Sequence, residues 1–312
     1  MATRDTIPFP QEEENASTFC GDLSQSCLFD NEQDAIHAID YLADNLNQWM
    51  ALHGYRQAQL IMDRMLNHKS SALRHDGVTP AALHELTQAV WFISCVEDGL
   101  HVEDAEGVLS VIFSHDLGED YGETPESFDA YLTENGITNR DAIERFKRSF
   151  DVITKQYRNP ETDQKGPLRH ANNSAYNDML VQDREASVAK MFDRPHNIMT
   201  LIGAKEHDKI LSYMDHILEE QDQYVLAASI NFPEQSELYE TLRYLTENEA
   251  ELTREKIDLI SFPYDDSNTF MPEKGFKDMP FGLHPRSVIM QRLHEHYPDI
   301  YPADNPDGQQ FS

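Results

Sequence analysis

The helical periodicity of the apolar residues constrains the fold of this chain more than any other feature. From residue 36 onward, apolar side chains recur at the spacing of one face of an α-helix. They are Ile36, Ile39, Leu42, Leu46, Trp49 and Met50, followed by Leu60, Ile61, Met65 and Leu66. We find no alternating polar and apolar pattern of useful length, which a half-buried β-strand would require. The sequence therefore predicts an all-α fold.

Capping residues and prolines divide this pattern into separate helices. Pro80 is expected in the first turn of a helix that extends to about Cys95. The next helix is expected from Glu103 to Ser114. The pair Thr124-Pro125 has the residue types of an N-cap and a first helical position, and Thr138 is expected to cap a further helix.

The second half of the chain is expected to contain one long loop and three long helices. Residues 156–173 are polar and rich in Pro and Asn, and they are too many for a routine connection, which favours a functional or mobile loop. Helices are expected at 174–201, 206–229 and 234–259. We divide the chain into an acidic flexible arm at 1–29, a central domain at 30–205 and an acidic helical extension at 206–312.

The strong negative charge limits the classes of partner. The chain has 56 acidic and 25 basic residues, a formal net charge of −31. Nucleic acids and anionic membranes are bound by clusters of Lys and Arg, so neither is expected as a partner. A small anionic substrate remains compatible if a metal ion or a local basic pocket reverses the field. The N-terminal segment has no apolar core of a secretory signal, so we expect a cytoplasmic protein.

An imidazole next to carboxylates marks the first candidate site. His115-Asp116 is followed by Glu119-Asp120. Groups of this kind are costly to bury unless something pairs with them, and a divalent cation would do so. Nitrogen and oxygen donors together suit a first-row transition metal such as manganese better than calcium. The alternative is an exposed dipeptide without function.

Two further segments offer polar groups that could join this site. Asp193, Asn197 and Thr200 share one helix face, and Lys190 lies one turn earlier. This mixture suits a phosphorylated ligand, whereas the alternative is a solvated helix face. His84 lies among apolar residues early in its helix, where it is either a metal ligand or a core histidine.

The order of these segments resembles the hydrolase domain of RelA/SpoT homologues, which belongs to the HD superfamily of metal-dependent phosphohydrolases. Four blocks carry the resemblance over roughly residues 55–205. They are Arg74-x-x-Gly77 with His84, His115-Asp116-x-x-Glu119-Asp120, Ile137-Thr138 with Thr154-Lys155, and Asp183 with Lys190-x-x-Asp193-Arg194-x-His196-Asn197-x-x-Thr200.

The resemblance implies an HD-type helical bundle that holds one Mn²⁺ through His84, His115, Asp116 and Asp193. It implies that Glu119 and Asp120 handle the water and the proton transfers. It also implies that the substrate is bound by Arg74, Lys155, Lys190, Arg194, Asn197 and Thr200.

The reaction implied by the resemblance is hydrolysis of the 3′-pyrophosphate of ppGpp or pppGpp to GDP or GTP and pyrophosphate. Two alternatives remain open. One is an HD phosphohydrolase for another nucleotide, such as a dNTP, an adenosine alarmone or NADPH. The other is a non-catalytic nucleotide sensor. Pro195 replaces a leucine common in the motif, and we expect it to disturb the helix near Asp193.

Overall fold

The computed structural model describes residues 32–69, 72–73, 80–154, 167–200 and 207–261. Within these ranges the regular structure is helical, and the β-type pairing is limited to an isolated bridge between Leu73 and Pro80. The predicted all-α fold is confirmed. The predicted arm at 1–29 lies outside the described residues, as does the end of the predicted extension after 261.

The helices are numbered along the chain. They are α1 (Glu32–His53), α2 (Arg56–Lys69), α3 (Leu83–Glu97), α4 (Ala105–Ser114), α5 (Leu117–Tyr121), α6 (Pro125–Glu134), α7 (Arg140–Ile153), α8 (Pro167–Leu180), α9 (Arg184–Thr200), α10 (His207–Asn231) and α11 (Ser236–Ser261). A short 3-10 turn, Pro233–Gln235, lies between α10 and α11. None of the helices in the described ranges is both long and apolar enough to cross a membrane.

Side-chain caps explain where several helices begin. Asp104 accepts a hydrogen bond from the Gly107 amide at the start of α4. Thr124 and Ser127 form a reciprocal capping box at the start of α6, and Pro125 occupies its first turn, as predicted. The predicted cap at Thr138 is wrong by one residue. Asn139 caps α7, because its side-chain oxygen accepts from the Ala142 amide.

The predicted boundaries near Pro80 and between 156 and 201 also need correction. Helix α3 begins at Leu83, after Pro80 has formed its bridge to the chain at Leu73. Helix α8 begins at Pro167, inside the segment predicted as a loop. The single helix predicted at 174–201 is two helices, since the Asp183 side chain accepts from the Ala186 amide and starts α9 anew.

Helices α4 and α9 form the centre of the molecule. Helix α4 packs against α2, α3, α7 and α9, and all of its residues except Glu106 are buried. Helix α9 packs against α3, α4, α7, α8, α10 and α11. It continues as a helix through Pro195. A residue on α9 can therefore face the interior from a central position.

The C-terminal helices share the same apolar core. Tyr224 of α10 and Leu238, Tyr239 and Leu242 of α11 belong to one buried cluster with residues of the preceding helices. The Tyr224 hydroxyl donates to the backbone carbonyl of Ser187 at 3.0 Å. These contacts join α9 to the C-terminal helices, while its other contacts join it to α3 and α4.

Candidate metal centre

Three helices bring two imidazoles and a carboxylate to one buried point. His84 lies in the first turn of α3, His115 directly follows α4, and Asp193 lies in the middle of α9. Their exposed fractions are 1%, 5% and 3%. The His84 Nε2 atom lies 3.2 Å from His115 Nε2 and 3.0 Å from Asp193 Oδ1. The third distance, from His115 Nε2 to Asp193 Oδ1, is 3.5 Å.

The outer nitrogen of each imidazole has its own partner. His115 Nδ1 lies 2.7 Å from the carbonyl oxygen of Ile112, which can only accept, so we assign the proton to this nitrogen. His84 Nδ1 lies 2.8 Å from His196 Nδ1. If His84 Nδ1 donates there, both Nε2 atoms present lone pairs to the centre. Partners of this kind orient the imidazoles that bind metals.

Asp193 is held by two neighbours on its own helix. Lys190, one turn earlier, forms an ion pair with its Oδ2 atom. Asn197, one turn later, donates to its Oδ1 atom at 2.7 Å. Burial alone would raise the pKa of Asp193, but Lys190 and the two histidines hold it well below its ordinary value. The carboxylate is therefore charged and pre-oriented.

The centre requires a positive charge. Burial would lower the pKa of His115, but the Asp116 and Asp193 carboxylates raise it to about 9. The imidazole would thus carry an additional proton at neutral pH if no other cation were bound. A metal ion can replace this proton, because metal ligands bind in their deprotonated forms.

The spacing of the donor atoms fits a metal ion. With metal–ligand bonds of about 2.1 Å, neighbouring ligand atoms lie about 3.0 Å apart at right angles and about 3.4 Å apart at tetrahedral angles. The three distances between the donors of His84, His115 and Asp193 range from 3.0 to 3.5 Å. These three buried residues can hold a metal ion.

Asp116, the fourth predicted ligand, lies at the rim of the centre. One of its oxygens lies within 4.8 Å of donor atoms of Glu85 and His115, but Asp116 does not join the group formed by His84, His115 and Asp193. Its side chain is 30% exposed, and its Oδ1 atom lies 3.3 Å from His115 Nε2. Its other oxygen, Oδ2, lies 3.3 Å from the ammonium of Lys69. Burial would raise the pKa of Asp116, but His115 and Lys69 lower it well below its ordinary value. Asp116 is therefore ionised and could act as a metal ligand on the solvent side of the centre.

Glu119 and Asp120 are exposed on the short helix α5, which begins directly after Asp116. Partial burial and the nearby Asp116 carboxylate raise the pKa of Asp120 above its ordinary value. This shift moves Asp120 towards the range in which a carboxyl group exchanges protons near neutral pH.

The residues predicted to bind substrate have different surroundings. Lys190 is paired with Asp193, and Asn197 donates to the same carboxylate. Thr200 donates to the backbone carbonyl of His196 at 2.9 Å. Arg194 is buried between α8, α9 and α10, where it donates to Asn177 and lies 4.3 Å from the centre of the Tyr224 ring. These contacts give Arg194 a packing role. Arg74 and Lys155 lie outside the described residues.

Sequence reasoning assigned no role to four buried residues around the centre: Lys69, Glu85, Gln88 and His196. Glu85 and Gln88 are on the same helix as His84, and a charged or amide side chain in so apolar a helix was an available signal. Gln88 Nε2 lies 2.7 Å from His84 Nε2. The Oε1 atom of Gln88 and the Oε2 atom of Glu85 are buried, with no hydrogen-bond partner among the described residues. Buried oxygens left in this state fit a site built for a cation.

No protein-family model matches the sequence. Comparisons of the chain with curated proteins and with solved structures also find no match.

Proposed function

We propose that this chain is a metal-dependent phosphohydrolase that acts on a small nucleotide. The observation that carries the proposal is the buried convergence of His84 Nε2, His115 Nε2 and Asp193 Oδ1 at distances of 3.0 to 3.5 Å. We propose Asp116, which lies next to His115 at the exposed edge, as a fourth ligand. Two nitrogens and two carboxylates suit a first-row transition metal, and we propose Mn²⁺.

The proposed centre is closed on its inner side and accessible on the side of Asp116. A bound divalent ion would supply a Lewis acid for the phosphoryl group and a more acidic water molecule. His84, His115 and Asp193 are buried, while Asp116 and the exposed pair Glu119 and Asp120 border solvent. A substrate phosphate would therefore approach from α5.

We propose that Asp120 acts as the general acid–base group, and that Glu119, next to it, shares this role. The raised pKa of Asp120 favours a carboxyl group that both accepts and returns a proton. Replacement of such a group reduces turnover by about 10² to 10⁴-fold. We expect Asp120→Asn to lower kcat in this range while metal binding is retained, because Asp120 is not among the proposed ligands.

The proposed substrate class follows from the resemblance to the hydrolase domain of RelA/SpoT homologues. The ordered blocks support ppGpp or pppGpp, cleaved at the 3′-pyrophosphate to GDP or GTP and pyrophosphate. In this assignment Asn197 and Thr200 lie on the face of α9 that carries Asp193, one and two turns later. Their side chains would border a nucleoside whose phosphates reach the centre.

The direct test is incubation of purified protein with Mn²⁺ and ppGpp, with the products separated by ion-exchange chromatography. We expect GDP and pyrophosphate in equal amounts. His115→Gln should abolish the reaction, whereas His53→Gln, which changes an exposed histidine outside the centre, should leave it unchanged. Intact ppGpp in the presence of bound Mn²⁺ would reject the alarmone assignment.

A nucleotide panel separates the remaining alternatives. It contains dNTPs, NADPH and an adenosine alarmone, each assayed with the same two variants. Cleavage of one of these compounds, with ppGpp left intact, would support a phosphohydrolase whose substrate is not the alarmone. Tight binding of ppGpp without cleavage of any compound would instead indicate a sensor.

A further inference from the structure

A buried ion pair lies beside the proposed metal centre. Lys69 is the last residue of α2 and is 2% exposed, and Glu85, next to His84 on α3, is fully buried. The Lys69 ammonium pairs with Glu85 Oε1, and it lies 3.3 Å from Asp116 Oδ2. One cationic group thus bridges two carboxylates.

The same carboxylates form a second group of donors with His115. Glu85, His115 and Asp116 each offer one donor atom, and these atoms lie within 4.8 Å of one another. His115 belongs both to this group and to the group with His84 and Asp193. The two groups are therefore adjacent, although His115, with one free ring nitrogen, can bind an ion in only one of them at a time.

One atom of this second group lacks a partner. Glu85 Oε2 is buried and has no hydrogen-bond partner among the described residues, although Oε1 pairs with Lys69. A buried carboxylate normally has both oxygens satisfied. An ammonium is a compact point charge and satisfies one side of Glu85 only, whereas a divalent ion can be bound by both oxygens of a carboxylate.

We propose that the Lys69 ammonium occupies the position of a second divalent cation, and that this lysine makes the centre mononuclear. Glu85 and Asp116 would bind a second ion if the lysine were removed. The inference rests on the proposed metal centre, but it is independent of the substrate and of the reaction.

The balance of charges around the centre supports the proposal that Lys69 excludes a second ion. Glu85, Asp116 and Asp193 contribute three carboxylates, and Lys69 and Lys190 contribute two ammonium groups. One divalent ion already makes this set net positive when the histidines are neutral. A second dication next to Lys69 would add strong repulsion in a poorly solvated region. Removal of Lys69 lowers the positive charge and opens the space that its ammonium fills.

The test counts bound Mn²⁺ in the full-length protein by equilibrium dialysis and elemental analysis. We expect a single equivalent in the wild type and a second equivalent in Lys69→Ala. The double variant Lys69→Ala/Glu85→Gln is the matched control, because it also lacks the lysine but has lost the second carboxylate. It should bind a single equivalent. In Lys69→Ala the two ions should also give a spin-coupled manganese signal by electron paramagnetic resonance.

Each outcome decides the inference. Two equivalents in the wild type, or one in folded Lys69→Ala, would overturn it while the metal centre stands. No bound Mn²⁺ in the wild type would overturn the metal centre and the inference together. Lys69→Ala leaves Glu85 buried without a cation, so thermal melts are recorded with and without Mn²⁺. Rescue of folding by Mn²⁺ supports the inference. Failure of Mn²⁺ to rescue it, when the double variant folds, contradicts the inference.

Discussion

Gly118→Ala should destabilise the protein through one identifiable clash. Gly118 lies on α5, two residues after Asp116, where the chain passes the end of α7. A Cβ atom at this position would lie 2.5 Å from Thr154 Cγ2 and 2.7 Å from Thr154 Oγ1. Carbon atoms in contact are normally about 3.5–4.0 Å apart, so α5 or Thr154 must move.

The size of the expected loss of stability in Gly118→Ala follows from two opposing effects. Overpacking of this kind costs about 1–3 kcal/mol, and the better helix propensity of alanine returns about 1 kcal/mol. Because an approach of 2.5 Å is severe, the upper part of the overpacking range applies, about 2–3 kcal/mol, and the net loss in the free energy of unfolding is about 1–2 kcal/mol. With an m-value of about 3 kcal/mol/M, the urea midpoint should fall by roughly 0.3–0.7 M.

Thr154→Ala provides the matched background. This change removes both atoms that the added methyl group would meet first, at the cost of the hydrogen bond from Thr154 Oγ1 to the Phe150 carbonyl. Such a bond contributes about 1 kcal/mol. In this background the close approach that remains is to Phe150 Cζ at 3.1 Å, and the better helix propensity of alanine offsets it, so Gly118→Ala should be almost neutral. Urea denaturation followed by helical circular dichroism gives all four stabilities. Equal effects of Gly118→Ala in both backgrounds would refute the proposed contact between α5 and Thr154.

Two further predictions concern other charged groups. Asp193→Asn should lose Mn²⁺ binding, and it should lower the stability of the metal-free protein by about 3–5 kcal/mol, because the Lys190 ammonium is left without its partner. Lys190→Met in addition should restore most of this loss in urea denaturation, and no restoration would contradict the pairing. Burial raises the pKa of Glu123, but hydrogen bonds from Arg64, Ser127 and His68 lower it below its ordinary value of 4.5. Its ionised form therefore stabilises the fold above pH 4.5, and this contribution is lost as the pH falls further. At about pH 7, Glu123→Gln should have a lower melting temperature than the wild type. This difference in melting temperature should shrink once the pH falls below 4.5, the ordinary pKa of the group. A difference that stays constant with pH would contradict this role of Glu123.

The fold class was predictable because local rules determine most of it. Periodic apolar residues, the Thr124-Pro125 start and the adjacent His115-Asp116 pair are all short-range features. The break before α9 was missed, because Asp183 could cap a helix or continue one and only its bond to the Ala186 amide decides.

Other features of the centre depend on long-range contacts that no local rule predicts. The contact of Lys69 with Glu85 joins the end of α2 to α3, and no spacing rule connects these residues. The packing of Arg194 on Tyr224 depends on where α10 lies. His196 was visible as a neighbour of Asp193, but its contact with His84 requires α3 and α9 to meet. The catalytic roles of Glu119 and Asp120 stay predictions.

The most direct test of the metal centre is pulsed electron paramagnetic resonance of the Mn²⁺-loaded protein, which detects nitrogen nuclei bound to the ion. We predict coupling to two imidazole nitrogens in the wild type and in His53→Gln. His84→Gln and His115→Gln should each retain one coupled nitrogen or lose the ion. Bound Mn²⁺ without nitrogen coupling, or coupling that is identical in all four proteins, would contradict a centre built on His84 and His115.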